Sequence, residues 1–557
     1  MKRYIKVLAL LLSISVLLCS CNFNLNGKKE MQQEYSADYN YDVIDKGPVK
    51  GGSVRLFSTP IDTLNPVLTN NIFVQDFLSL VFEGLYRLDE TQKPVGVLAE
   101  SMSLSPDGLT ATIYLKKDVK WHDKMPFVAD DVVFTINTIK NSKLGSIYST
   151  NVEYISSATA IDATTVQLKL TQPYAFIREQ LTFPIISLHY FLDEKIADKK
   201  MSRNMTPMGT GPYKFKSYDT EAGVRLHINE DWWGKKNFTN NSSINNEELT
   251  IPYIPTVDVK IFDSINEASS AFQSREVDII YANYQEFRKY IGRTDITMKR
   301  YAGKNYEFVA MNLKKGPLAD KGVRQAINLC LDKKELINKA ATGIAVQAEI
   351  PIVPNSWLYS VASLEHKKDT QKAEELMKQS GYVLDKNNIY VNKITKKQLS
   401  LTLYVNDDNI LRYNVANELI SQLGSFGIKV QLQRVPYDTV MKNVKAGTYD
   451  MALMGYNISN IPDLSFAYSS AQANGGLNPS GYINADVDNY LNLIKTENDT
   501  DLQKSYYTNM INIIVDDTPY LGLFFLYDSI MYSKNIKGAL SPNTWNKYYN
   551  ASEWYVP

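Results

Sequence analysis

The residues able to do covalent or metal chemistry are few and far apart. Histidine occurs only at 122, 189, 227 and 366. None sits at the three- or four-residue spacing that sets two imidazoles on one helix face around a zinc ion. Past residue 21 no Cys-x-x-Cys pair occurs, which argues against a zinc or iron–sulfur centre. There is no Gly-x-Ser-x-Gly elbow and no Gly-Lys-Ser/Thr phosphate loop. Gly209-Thr210-Gly211 begins like a dinucleotide fingerprint, but Pro212-Tyr213 follow, and no helix opens on that pattern. Carboxylates are plentiful without pointing to a catalytic pair. The residues therefore assign no catalytic group, no metal site and no cofactor. Aromatic side chains are abundant instead: 37 Tyr, 20 Phe and 6 Trp. Tyr and Trp offer an apolar face with a polar tip, which suits a cleft that takes varied ligands, although most will serve the core.

The N-terminus carries a different chemistry. Lys2, Arg3 and Lys6 precede an apolar stretch over 7–18, broken only by Ser13 and Ser15. This is the charged region and apolar region of an export signal, too short for a comfortable bilayer span. Leu18-Cys19-Ser20-Cys21 follows and resembles the lipobox of bacterial lipoproteins, whose cysteine takes a diacylglyceryl group and becomes the mature N-terminus. The resemblance makes 1–20 a signal peptide, Cys21 the lipidation site and 21–50 a flexible tether. The body would then stand outside the cytoplasm, anchored to the cell membrane at its outer face or in the periplasm, by a lipid contributing about 0.8 kcal/mol per buried methylene. Cys19, behind bulky Leu18, is the poorer candidate, and a plain secretory cleavage is the alternative. Cys330 is left as the sole mature thiol, so no intramolecular disulfide can form. Its helical apolar spacing within 323–331 predicts a buried, inert thiol.

Length and charge bound the rest. The 557 residues carry 60 Lys+Arg against 60 Asp+Glu, without the basic excess a nucleic-acid binder needs. Apolar residues at 44% and charged ones at 22% exclude intrinsic disorder and fit a packed globular chain. At roughly 150 residues per domain, two or more lobes are expected. No run approaches the roughly 18 apolar residues of a membrane-spanning helix.

Periodicity supplies the elements that must position any site. Order is expected from Gly51-Gly52, with a strand over 53–57. Residues 73–88 carry apolar side chains at Phe73, Phe77, Leu80, Val81, Leu85 and Leu88, a helical face. Ser105-Pro106-Asp107-Gly108 is a turn by its chemistry and, with strand 110–115, predicts a hairpin. Helix 129–140 opens on Ala129-Asp130-Asp131, with acid in its first turn. Residues 165–170 and 224–228 alternate as half-buried strands, and 235–248 is an Asn- and Ser-rich surface loop. Strands 399–405, 428–435 and 450–456, with helix 413–426, form a β-α-β arrangement that predicts a mostly parallel sheet flanked by helices. Helix 369–381 ends at Gly381, and 519–530 is a core strand. The fold class is α/β with α+β elements and more than one sheet.

Motifs spread along this frame carry a resemblance. They include Ala99-Glu100-Ser101, Ser105-Pro106-Asp107-Gly108-Leu109-Thr110, Trp121-His122-Asp123 and Pro126-Phe127-Val128-Ala129-Asp130-Asp131. Others are Thr63-Leu64-Asn65-Pro66, Phe82-Glu83-Gly84-Leu85, Gly209-Thr210-Gly211-Pro212-Tyr213-Lys214-Phe215 and Met311-Asn312-Leu313. Val323-Arg324-Gln325-Ala326-Ile327 and Gly481-Tyr482-Ile483-Asn484 complete the series. From about 51 to about 540, in family order, they resemble the bacterial extracellular solute-binding proteins of family 5, the peptide- and nickel-binding components of ABC importers. Most of these residues read as structural: Trp121 and Phe127 pack a hairpin on the following helix, and Gly108 serves its turn.

The resemblance implies a two-lobed, periplasmic-binding-protein-like clamshell with an additional domain on the first lobe. Lobe I would comprise 51–75, 185–290 and 520–557, the extra domain 76–184, and lobe II 300–515. Closure of the lobes would bury the ligand between them. The implied protein is a lipid-anchored monomer, not an enzyme, that captures oligopeptides and delivers them to the membrane subunits of an ABC permease. Nucleic acid is no partner. In the family's peptide binders a strand of the second lobe hydrogen-bonds the ligand's main chain; the match here is 449–459, on which Gly455, Tyr456 and Asn457 would face the ligand. The pattern then departs. Those binders carry an Asp four residues after this glycine, pairing with the ligand's α-amino group, where this chain has Ser459, with Asp463 farther on. A hydroxyl cannot replace that charge. Either Asp463 or another acid substitutes, or the amino group is held differently, or the ligand is no peptide; a nickel chelate, an oligosaccharide or a role in peptide signalling are the alternatives.

Overall fold

The computed structural model describes residues 45, 47–193, 195–235, 237–238, 249–282, 288–359 and 367–557. The export signal, Cys21, most of the tether, His366 and most of the 235–248 loop lie outside the described residues.

Alternation becomes strand where expected near the start of the body. Ser53–Ser58 pairs in parallel with Thr256–Ile261, which runs antiparallel to Gly223–Ile228, itself paired with Tyr213–Asp219. A second, antiparallel sheet has the order Ala99–Leu104, Thr110–Leu115, Thr165–Leu170, Ile155–Asp162. The Asp107 carboxylate closes its first hairpin by accepting from Ser105 Oγ at 2.5 Å and Leu109 N at 3.0 Å. Gly108 there has φ +68°, which a β-carbon would strain. Helix Ala129–Lys140 covers this sheet. Trp121 and Phe127 are buried beside it, ring edge to ring face at 5.9 Å, and Trp121 Nε1 donates to Asp131 Oδ2 at 3.0 Å. Both sheets turn apolar faces into one continuous core, which includes Leu56, Ile113, Val166 and Val224.

The helix expected over 73–88 is cut short. Asn71 caps its start by accepting from Phe73 N at 3.0 Å, but Ile72–Leu78 is its whole length, and Tyr86–Leu88 is a strand. Long-range backbone pairing overrides the apolar face: Gly211 N donates to Val81 O at 2.9 Å and Tyr213 N to Leu80 O at 3.1 Å. A β-carbon at Gly209 would lie 2.0 Å from Val81 O. The Gly209-Thr210-Gly211 motif is therefore a device for close backbone approach.

The third sheet has the order Ile279–Ala282, Tyr520–Ser533, Ile296–Met311, Met451–Asn457, Ser400–Asn406, Lys429–Val435, with Ala345–Gln347 also on Tyr520–Ser533. The expected β-α-β unit is present: Ser400–Asn406 is parallel to both Lys429–Val435 and Met451–Asn457, with helix Ile410–Phe426 between the first two. The sheet is not mostly parallel, however, because the two longest strands pair antiparallel. Val309 and Met311 point into one core and Phe308 and Ala310 into another. Burial on both faces explains the apolar run at 519–527. Cys330 is buried on helix Lys321–Cys330, and burial pushes its thiol up to about 12, too high for a reactive thiolate at neutral pH.

Two strands cross between cores. In Tyr520–Ser533, Leu521, Leu523 and Phe524 lie in the core that takes Val309 and Met311, a second core, whereas Ile530, Met531 and Tyr532 lie in the first, the core of the two smaller sheets. Its antiparallel partner Ile296–Met311 makes the same passage, with Tyr301 in the first core and Val309 in the second. Their register slips between Ala302 and Tyr306. A slip of this kind bends a strand and re-aims its side chains.

Candidate functional site between the lobes

The irregular segment at Gly303-Lys304-Asn305 opens onto a cavity of about 790 Å³, within the roughly 300–1,000 Å³ usual for ligand sites. Its walls come from both sides of the crossing. Lys304, Asn305 and 457–460 contribute from strand Ile296–Met311 and the end of strand Met451–Asn457 with the loop after it; Asp76, Glu83 and Arg87 come from the segment after the cap at Asn71. Asp528, Trp545 and Lys547 come from the C-terminal segment.

Local interactions fix these groups. Lys547 Nζ pairs with Asp76 Oδ2 at 2.8 Å and lies 4.7 Å from the Tyr281 ring centroid. Thr544 Oγ1 donates to Ala302 O at 2.7 Å, pinning the C-terminal segment to the crossing strands. Lys304 Nζ sits 4.6 Å from the Trp545 ring centroid, and Ile458 N donates to Lys304 O at 3.0 Å. Arg87 lies over Tyr549 at 4.5 Å. Glu83 accepts from Thr210 Oγ1 and Trp233 Nε1, both at 2.8 Å, and from Trp232 Nε1 at 3.2 Å; burial pushes its carboxyl up to about 7. Burial likewise raises Asp528 and depresses Lys304. Three acids thus face three bases on the wall, interleaved with aromatic faces, an arrangement for a guest bearing both charges.

Of the residues singled out by sequence, Asn457 and Ser459 line this cavity. Gly455, Tyr456 and Asp463 are engaged elsewhere. A β-carbon on Gly455 would lie 2.5 Å from Arg412 Nη2 and 2.8 Å from Glu307 Oε1. Tyr456 donates its hydroxyl to Leu477 O at 2.7 Å and stacks on Phe308 at 4.5 Å. Asp463 Oδ1 accepts from Ser465 N at 2.8 Å, and its other oxygen lies 3.7 Å from Lys495 Nζ. Ser459 Oγ donates to Ile461 O at 3.0 Å, turned toward its own loop. Sequence reading missed Asp76, Lys304, Asp528 and Trp545. A signal existed for one: Asp528 interrupts an otherwise uncharged run at 519–530.

Direct contacts also join the segments on the cavity's two sides, one at its lining and two outside it. Asn460 Nδ2 donates to Glu179 O and Thr182 Oγ1, each at 2.9 Å. Trp357 N donates to Thr91 O at 2.8 Å, and Ala175 N to Lys495 O at 2.6 Å. Among the described residues, no group of three His, Cys, Asp or Glu side chains is arranged to hold a metal, and no helix is long and apolar enough to cross a membrane.

Comparison with known proteins agrees with this architecture. The oligopeptide-binding protein AppA of Bacillus subtilis is 24% identical over 100% of this chain and 99% of its own. The dipeptide-binding protein of Escherichia coli is 25% identical, covering 77% of this chain and 81% of its own. Among solved structures, NikZ from Campylobacter jejuni in complex with Ni(L-His) is 26% identical with a TM-score of 0.60, covering 90% of this chain and 99% of that one. CtaP from Listeria monocytogenes is 24% identical with a TM-score of 0.70, covering 91% and 99%. Such neighbours share the two-lobed binding-protein fold. Residues 93–478 match the family described as "Bacterial extracellular solute-binding proteins, family 5 Middle", and the chain belongs to that family.

Proposed function

We propose that this protein captures oligopeptides between its lobes and releases them unchanged to an ABC permease, as a monomer anchored to the cell membrane through lipid on Cys21. The observation that carries the reading is the cavity at the strand crossing, where acids and bases are balanced and aromatic faces intervene. A peptide offers that combination: charged ends, amide groups and apolar side chains. The names of the AppA and dipeptide-binding relatives point the same way. In this reading lobe I comprises 51–75, 185–290 and, of the 520–557 first expected there, only the part beyond about 527, because Leu521, Leu523, Phe524 and Leu526 pack in the other core; the extra domain is 76–184, and lobe II is 300–515 with the first half of Tyr520–Ser533. Bending at Gly303-Lys304-Asn305 lets the lobes part and close.

Asn457 and Ser459 then meet the ligand, while Gly455, Tyr456 and Asp463 hold the strand and loop that present them. Micromolar capture requires only about −8 kcal/mol, which main-chain hydrogen bonds and apolar burial on closure can supply without a sequence-reading pocket. The test is mass spectrometry of the material released when protein purified from its native host is denatured. Peptides of mixed sequence are expected; a metal chelate or sugar alone would overturn the reading.

A further inference from the structure

We infer that Asp528 and Trp545 form the subsite that holds the ligand's terminal ammonium group and the carbonyl next to it. The inference rests on the peptide-receptor reading. Asp528 stands where the crossing strands lose register, paired with Tyr301 and lining the cavity. Its carboxylate rests over Gly303, where a β-carbon would lie 3.0 Å from both Cγ and Oδ2. Among the described residues, that carboxylate accepts no hydrogen bond and has no cation within 4.0 Å.

The two nearby lysines are committed elsewhere. Lys547 pairs with Asp76 at 2.8 Å, and Lys304 lies over the Trp545 ring. Both lysines act on this carboxylate only from beyond 4.0 Å, and a desolvated carboxylate without a direct partner is costly, so the cavity offers an ammonium group a ready partner. Trp545 supplies the complementary half. Its indole N–H is buried and has no acceptor among the described residues, and the Thr544 hydroxyl bond to Ala302 O holds this segment beside the strand carrying Asp528.

A carboxylate without a direct partner and an unpaired N–H donor in the lining of one cavity match an ammonium group and an adjacent carbonyl, which is the pattern of a peptide's first residue. The pair is charge-assisted and becomes stronger as water leaves.

The test uses two pools of random synthetic pentapeptides, one with free amino termini and one N-acetylated, titrated by calorimetry into ligand-stripped protein. Wild type is expected to bind the free pool at least about tenfold more tightly, and Asp528→Asn to reduce that preference to within about twofold. Trp545→Phe keeps the ring and removes the donor; it should weaken binding of the free pool by roughly fivefold, the size of one lost hydrogen bond. Melting curves accompany both variants, and if Asp528→Asn does not fold, Trp545→Phe decides: unchanged affinity overturns the subsite. Equal binding of both pools by wild type, or a preference that survives Asp528→Asn, overturns the subsite and leaves the peptide receptor standing. Binding of neither pool by wild type overturns both.

Discussion

Arg412 grips Glu307 through two hydrogen bonds, of 2.8 and 3.1 Å, directly against the α-carbon of Gly455. Both partners are largely buried, and Asn406 Oδ1 accepts a further bond from Arg412 Nη1 at 3.1 Å. The glycine is thus required by the sheet's packing. Gly455→Ala would push its methyl into this pair and is expected to destabilise the fold by about 1–3 kcal/mol, the usual range for overpacking. Urea unfolding checks this, and an unchanged midpoint would contradict the placement.

A second buried pair ties helix Lys333–Ala340 to Glu349. Lys333 Nζ lies 2.6 and 2.8 Å from the two Glu349 oxygens, with side chains 1% and 6% exposed. Lys333→Met strands a buried carboxylate and should cost about 3–5 kcal/mol, whereas Lys333→Met with Glu349→Leu should recover most of that loss. A double-mutant cycle in urea reads the coupling. Additive effects would show that the two groups do not depend on one another.

Burial pushes the Glu179 carboxyl up to about 7 from an ordinary 4.5. Between those values the folded protein holds a proton that the unfolded chain has lost. This contribution to stability is full below about pH 4.5 and disappears as pH rises through about 7. Glu179→Gln removes it. The variant's stability relative to wild type should therefore increase by up to about 3 kcal/mol from pH 5 to pH 8. Parallel stability curves for the two proteins would contradict this.

Asn460 joins the loop after Met451–Asn457 to the segment across the cavity with two hydrogen bonds. Asn460→Ala loses both, about 1–2 kcal/mol of closed-state stabilisation, which is roughly a five- to thirtyfold loss of peptide affinity. Calorimetry with the free pentapeptide pool reads it. An unaltered affinity would mean that this contact plays no part in holding the lobes around a guest.

Much of the scaffold is legible in the sequence because its patterns are local. Alternation marks Thr110–Leu115 and Thr165–Leu170, and the acidic first turn marks Ala129–Lys140. The stretch at 73–88 is not legible, because the backbone of Leu80 and Val81 pairs with residues some 130 positions away, at Gly211 and Tyr213, and no local pattern records such a partner. The site divides in the same way. Asn457 and Ser459 follow from a motif-bearing strand, whereas Asp528, Lys304 and Trp545 converge only because two crossing strands slip register between Ala302 and Tyr306. The charge at Asp528 within an apolar run was visible; its destination was not.

Small-angle X-ray scattering of the ligand-stripped protein, with and without the free pentapeptide pool, reads the central claim most directly. A hinged receptor that shuts around its guest should show a smaller radius of gyration once peptide is added, with the peptide recovered intact afterwards. A profile that never contracts with any peptide, or a peptide recovered cleaved, would contradict it.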